Sequence, residues 1–250
     1  MKNITYFLAG FAACVSLNVC ADSEVTVFSP DRSETALVSH AQNLAQLTAS
    51  PALAGKTWWP GTVISEKLAT AAAVQQQQQL LTRLKNWSAA LRADDDGEKA
   101  TIVDNLYQQI AAIKVTGRQI VNLDPDWVRL RPEDNRLLAG EYSVYTLQKP
   151  GSLTIAGLAN GSGKTTWVAG RSVVDYLADH ERLDGGERNF VTLIAPSGKT
   201  EQVPVAYWNH RHVEPDAGSI IYVGFSAWSL PDGPDLNQQI ISVLTHRIPD

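Results

Sequence analysis

The chain has 250 residues, 44% of them hydrophobic, and carries 21 Lys and Arg against 26 Asp and Glu, a net charge of −5. A mildly acidic chain without a basic run argues against nucleic acid as a partner, and two cysteines rule out a disulfide-dense scaffold. The length allows two small domains, each with its own hydrophobic core.

Met1 and Lys2 make a short basic start, and Ile4 to Val19 is apolar apart from Thr5, Ser16 and Asn18. Val19-Cys20-Ala21 then sets small residues before Asp22. This pattern predicts a cleavable signal peptide over residues 1–21 and a periplasmic, Gram-negative location. A membrane anchor competes, but the run falls short of the about 20 apolar residues a span needs. Lipidation fits poorly, because apolar residues continue past Cys14 and Val19 is a poor residue before Cys20. Both cysteines lie in this segment, so the processed chain is expected to have no thiol or disulfide. Without Lys2 the basic count falls to 20 against 26 acidic residues, a net charge of −6.

Residues 22–149 are expected to form a first domain. Val25, Val27 and Pro30 suggest a strand and turn, with Thr35 to Val38 as the return strand. Ser39 is placed to cap a helix carrying Leu44 and Leu47, which ends near Ser50-Pro51. From about Ser65 to Leu91 the residues are helix formers, with Leu80, Leu84, Trp87 and Leu91 on one face. The Gln75 to Gln79 run reads as a solvated helix face. Asp94-Asp95-Asp96-Gly97 makes a turn whose charges suit the next helix N-terminus. These carboxylates lack the alternating spacing and distal Glu of a Ca²⁺ loop. Ile102, Leu106, Ile110 and Ile113 mark the second helix. Together they predict a helical hairpin inserted at about 63–114. The strand pattern then resumes over Thr116 to Leu123, continues through Asp124 to Arg129, and returns in the period-two segment Gly140 to Leu147. Lys149-Pro150-Gly151 reads as the domain boundary.

Residues 150–230 are expected to form the second domain. Leu153 to Ala156 is apolar and leads into Asn160-Gly161-Ser162-Gly163-Lys164-Thr165-Thr166. That bend sits where a phosphate-binding loop would, but Leu158 stands where the first Gly is needed, and Gly157 is one residue too early. No later apolar strand ends in an Asp suited to Mg²⁺. The segment therefore reads as a hairpin turn, and no nucleotide is expected. Ser172 can cap a helix bearing Val173, Val174 and Leu177, bounded by Asp184-Gly185-Gly186. Phe190 to Ala195 and Glu201 to Trp208 are strand candidates around the turn Pro196-Ser197-Gly198-Lys199, and Ser219 to Phe225 is a last strand. A sheet wrapped on one helix suggests the ubiquitin-like β-grasp. Residues 231–250 predict a C-terminal amphipathic helix, with Pro234 at its first position, Asp235 at its N-terminus, and Leu236, Ile240, Val243 and Leu244 on one face extended by Ile241. It is too short and polar to span a bilayer, and packing on the second domain is favoured over docking on a partner.

The order of features in the second half, ending in Pro215-Asp216-Ala217-Gly218 before a strand, resembles the SLBB type of β-grasp found in polysaccharide export proteins. Across the whole chain a further set of motifs falls in order. They are Trp58-Trp59-Pro60-Gly61, Thr116-Gly117-Arg118, Leu123-Asp124-Pro125-Asp126, Gly170-Arg171-Ser172-Val173, Asp175-Tyr176-Leu177 and Arg211-His212-Val213-Glu214-Pro215, with Ile241 to Asp250 at the end. In this order the chain resembles the GfcC family of capsule-biosynthesis proteins and the neighbouring YjbG-type exopolysaccharide proteins. The resemblance implies an α+β fold of tandem β-grasp domains with an inserted helical hairpin and a C-terminal amphipathic helix. It also implies a periplasmic role in assembling or exporting surface polysaccharide, with a domain order similar to part of an outer-membrane exporter. It makes Arg118 a central pocket residue.

Sugar recognition uses aromatic faces against the C–H faces of a ring. Trp58, Trp59, Trp127, Trp167, Trp208 and Trp228 are candidates, though core packing suits any one of them. Arg118, between two apolar stretches, is either a surface charge or a buried guanidinium that holds several acceptors across a junction. Arg171 is a second candidate. The binding residues selected are Arg118, Arg171, Trp58 and Trp59. His210 and His212 could share a strand face and bind metal, but no third ligand is evident, and no nucleophile-elbow pattern appears. The expected function is non-enzymatic, without cofactor, in a monomer whose partners are polysaccharide or outer-membrane export components. A polysaccharide-modifying enzyme is the alternative, and a cleft with two carboxylates about 5–10 Å apart would favour it.

Overall fold

The computed structural model describes residues 23–249 except 56, 232 and 234. The expected signal peptide, both cysteines and Pro234 lie outside the described residues. What is described is a mixed α+β chain with two five-stranded mixed sheets and several helices.

The first sheet begins with the hairpin β1 (Ser23–Phe28) and β2 (Thr35–Ser39). Val25 and Val27 point into the core at period two, as the alternation predicts. Ser39 belongs to β2, and the short helix α1 (Leu44–Thr48) is capped by Asn43 instead, whose side chain accepts from the Gln46 N–H at 3.0 Å. Then comes a strand where the helical insert was expected to begin, β3 (Val63–Glu66). Its Val63 and Ile64 are both buried because β3 is an inner strand. The insert itself is α2 (Lys67–Ala93) and α3 (Gly97–Ala111), with Asp96 as the N-cap of α3. The strand expected over Thr116 to Leu123 shrinks to the two-residue β4 (Arg118–Gln119). The segment from Asp124 onward is helical, not extended: α4 (Pro125–Leu130) starts with Pro at its first position, under the Asp124 side chain. β5 (Gly140–Tyr145) closes the sheet. The strand order is β2-β1-β5-β3-β4, with β1 and β5 parallel and the rest antiparallel.

The second sheet repeats this layout. Its strands are β6 (Ser152–Gly157), β7 (Gly163–Thr166), β8 (Phe190–Ile194), β9 (Thr200–Pro204) and β10 (Ile220–Val223), with α5 (Val173–Ala178) between β7 and β8. The order is β7-β6-β10-β8-β9, with β6 and β10 parallel. The Gly161 to Lys164 bend is the turn of the β6–β7 hairpin. Ser172 caps α5 in a reciprocal box with Asp175. β9 stops at Pro204, short of the expected Trp208, because the chain winds into a turn fixed by the Asn209 side chain on the Ala206 N–H. His210 and His212 therefore do not share a strand.

Matching connectors differ between the halves. The first sheet joins its third and fourth strands through α2 and α3, whereas the second uses residues 195–199. Yet α2 and α3 share their core with the second sheet, through Leu80, Leu84, Leu106 and Ile110. Gln109 of α3 fixes this contact, accepting from the Gly157 N–H at 2.8 Å and donating to its carbonyl at 3.4 Å. The last helix, α6 (Leu236–Thr245), buries the predicted Leu236, Ile240, Val243 and Leu244 in the same core and is capped by Asp235. All four residues of β10 are buried, since both faces of the second sheet are covered. The first sheet has a smaller core around Val25, Leu44, Leu47, Ile64, Leu123 and Val144.

The glutamine run is not wholly solvated. Gln75, Gln76, Gln78 and Gln79 are exposed, but Gln77 is buried and donates to the carbonyls of Ile110 (2.9 Å) and Ile113 (2.8 Å). The Ile110 carbonyl also accepts from the Ile113 N–H at 3.3 Å, and Ile113 lies just past α3, so the amide ties the C-terminal end of α3 and the residues after it from the side.

Candidate functional site

Arg118 opens β4, opposite Ser65 of β3. It follows Gly117, where a side chain would collide with the backbone of the first turn of α2. The Arg118 side chain reaches the second half. It is 5% exposed. One guanidinium nitrogen donates to the carbonyl of Pro196, in the β8–β9 turn, and the other to that of Thr245, at the end of α6, at 3.4 Å. A cation is favoured beside a helix C-terminus. Burial, then neighbouring Arg247, lower its pKa to about 9, so it remains a cation at neutral pH. The turn is fitted onto it: a Cβ on Gly198, whose φ is +86°, would lie 2.6 Å from Ile120 Cδ1 and 3.0 Å from Arg118 Nε.

Beside this junction lies a cleft of about 390 Å³. Trp59 and Trp127 line it, with Ile120, Asn122, Asp124 and Asp134. Arg136 adds a cation, and Ser197 and Lys199 of the second half form one wall. Trp127 is held rigidly. Its indole N–H donates to Asp134 Oδ2 at 2.6 Å, and Arg131, which does not line the cleft, stacks at 3.5 Å from the ring centroid. Asp124 Oδ1 accepts from the N–H groups of Asp126 and Trp127, at 2.9 and 3.4 Å, which sets the start of α4. The result is a half-open slot with aromatic walls and hydrogen-bonding groups at its rim, the kind of surface that takes a polar ring with apolar faces.

Of the four residues selected from the sequence, Trp59 alone lines this cleft. Arg118 sits behind the Ser197 wall and touches carbonyls. Trp58 is half-buried at the start of a short 3₁₀ turn, and its N–H donates to Leu147 at 2.7 Å. Arg171 lies on the second half, over the Tyr176 ring at 4.4 Å and paired with Asp179. Among the other tryptophans, Trp167 donates to the Pro215 carbonyl at 2.9 Å, and Trp208 and Trp228 are exposed. Asn122, Asp134, Arg136 and Lys199 were not selected. The Asp124-Pro125 pair, a helix-start signal, could have placed Trp127 and its surroundings on α4. His212 pairs with Glu214 at 3.1 Å, and among the described residues no three His, Cys, Asp or Glu side chains gather as a metal site.

Two like-ordered mixed sheets, a helical hairpin shared between them and a tryptophan-walled cleft at their junction define a two-lobed α+β protein. Sequence models of the capsule-biosynthesis GfcC N-terminal and C-terminal domains match residues 21–149 and 161–249. The chain belongs to the GfcC capsule-biosynthesis family. It is 48% identical over 235 residues, 93% of each chain, to a protein of Escherichia coli (strain K12) named "Uncharacterized protein YjbG".

Proposed function

We propose that the protein is a non-enzymatic periplasmic accessory of capsule or exopolysaccharide assembly or export, and that it binds glycan in the cleft between Trp59 and Trp127. The observation that carries this reading is the pairing of two tryptophans with Asn122, Arg136 and Lys199 around one slot. Family membership supplies the link to capsule biosynthesis. In this reading each sheet is a β-grasp of the SLBB-related kind, since the shared order and the central parallel pair are what that fold requires, with α1 or α5 as the grasped helix. The protein acts as a monomer, and export components are its protein partners. A polysaccharide-modifying enzyme is the second reading, favoured by the two carboxylates Asp124 and Asp134 in the same cleft. Both are engaged as acceptors that shape the cleft, so binding is preferred.

The test titrates purified surface oligosaccharides from a producing strain into the protein and follows tryptophan fluorescence. Trp127→Ala and Trp59→Ala should each weaken binding about tenfold, the loss of one stacked ring. A deletion strain should lose surface polysaccharide and regain it with wild type but not with a stably present Trp127→Ala. Unchanged surface polysaccharide on deletion would sink the accessory role. Shortened oligosaccharides after incubation would move the assignment to the enzyme.

A further inference from the structure

The tryptophan-walled cleft carries charges of both signs, and they differ in how they are held. Its carboxylates are committed to the scaffold. Asp124 Oδ1 accepts from two N–H groups at the start of α4, and Asp134 Oδ2 accepts from the Trp127 indole. Its two cations, Arg136 and Lys199, are exposed, and among the described residues neither side chain has a hydrogen-bonding or ion-pairing partner. Several surface cations elsewhere are matched: Lys67 with Glu141, Arg129 with Asp126, Arg171 with Asp179 and Arg211 with Glu201.

The backbone that carries each cation is fixed although its side chain is not. The Arg136 N–H donates to the Asp134 carbonyl at 3.0 Å, and the Arg136 carbonyl accepts from the Leu44 N–H at 3.0 Å. The Lys199 carbonyl accepts from the Ala195 N–H at 2.9 Å, in the turn that Arg118 holds against the first half. One cation therefore enters the slot from each half of the chain. Arg131, outside the slot, stacks on the Trp127 ring and adds a third positive charge beside it.

We propose that the cleft selects an acidic glycan: a pyranose bearing a carboxylate, with its ring on the tryptophans and its carboxylate toward Arg136 and Lys199. This rests on the glycan reading of the same cleft and adds the class of sugar. A stacked ring alone does not discriminate, because neutral and acidic pyranoses both have apolar C–H faces. A carboxylate gives the two cations charge-assisted hydrogen bonds, and the Arg136 fork matches both of its oxygens. A neutral hydroxyl is a weaker acceptor for them. Asp124 and Asp134 act against an anion, so the preference depends on the two unpaired cations and disappears with them.

The probe is trigalacturonate, titrated into the full chain by calorimetry and followed by tryptophan fluorescence. Its carboxyl-reduced form, with the same rings and linkages but no charge, is the control. Trigalacturonate should bind at least about tenfold more tightly than the reduced form. The preference should shrink as salt is raised, since both cations are exposed. Arg136→Gln and Lys199→Gln should each lower the ratio of the two affinities about threefold or more, and the double variant should bring the affinities together. These variants should melt with wild type, because neither side chain has a partner to lose. Lys85→Gln, at an exposed cation of α2 outside the cleft, should keep the wild-type ratio. Trp127→Ala should weaken both trisaccharides. Equal binding of the two trisaccharides would overturn the acidic preference and leave the glycan reading standing. An unchanged ratio in the double variant, or an equal fall with Lys85→Gln, would overturn it too. Binding of neither trisaccharide would also overturn it, and titration of the strain's own oligosaccharides would then show whether the glycan reading falls with it.

Discussion

Arg118 donates to the carbonyl of Thr245, a residue 127 positions further along the chain, while its other guanidinium nitrogen reaches Pro196. One side chain of the first half thus holds both the β8–β9 turn and the end of α6. Arg118→Ala leaves two shielded carbonyls without a donor, at about 1–3 kcal/mol each. For a chain of this size that lowers the melting temperature by about 5–15 °C. Arg118→Lys recovers only part, because one ammonium lacks the fork that spans two acceptors. A melt within a degree or two of wild type would refute the junction role.

Gly198 sits under the same guanidinium. Gly198→Ala would put a methyl against Ile120 and Arg118 in a left-handed backbone conformation. We expect a loss of about 1–3 kcal/mol, read by denaturant unfolding. Glycan affinity should fall as well, because Ser197 and Lys199 form a wall of the cleft. Stability loss with unchanged affinity would separate the turn from the site.

The glutamines of α2 should be unequal. Gln77→Leu removes the donor to Ile110 and Ile113 and should cost about 2 kcal/mol. Gln75→Ala and Gln78→Ala, on the exposed face, should stay within about 0.5 kcal/mol. Equal effects across the run in thermal melts would contradict the side tie at the end of α3.

Asp31 predicts an acid window. The hydroxyls of Ser29 and Ser33, then the Ser33 N–H, hold its pKa near about 2 from an ordinary 3.8. A carboxylate lowered on folding stabilises the folded state above its unfolded pKa, and that contribution is lost as pH falls through the folded value. Wild type should therefore melt above Asp31→Asn at pH 6, with the gap closing between about pH 4 and pH 2. A gap independent of pH would show that the turn does not need the charge.

Local chemistry made most of the period-two segment Gly140 to Leu147, the cap at Ser172 and the buried stripe of α6 readable in the sequence; with Pro234 read as the first helical position, Asp235 falls inside the helix, whereas it is the N-cap itself. Residues governed by distant partners were not readable. Val63 and Ile64 look like the start of a helical stretch, and they become a strand because β4 and β5 flank them. Gln77 looks like its neighbours until the end of α3 comes within reach. The cleft is the extreme case. Trp59, Trp127 and Lys199 come from separate segments, and only the docking of the β8–β9 turn onto β4 brings them together. Trp58, Arg118 and Arg171 share residue type with Trp59 and Arg136 of the slot, but none of the three lines it.

The two halves exchange connectors: the long one from the first sheet shares its core with the second, and the short one from the second is pinned by Arg118 on the first. Cutting the chain near Pro150 would therefore not release two independent pieces. The N-terminal fragment would carry Leu80, Leu84, Leu106 and Ile110 bare to water, and the C-terminal fragment would have one sheet face uncovered. Such fragments should aggregate apart and recover only when mixed, and the intact chain should unfold in a single cooperative step.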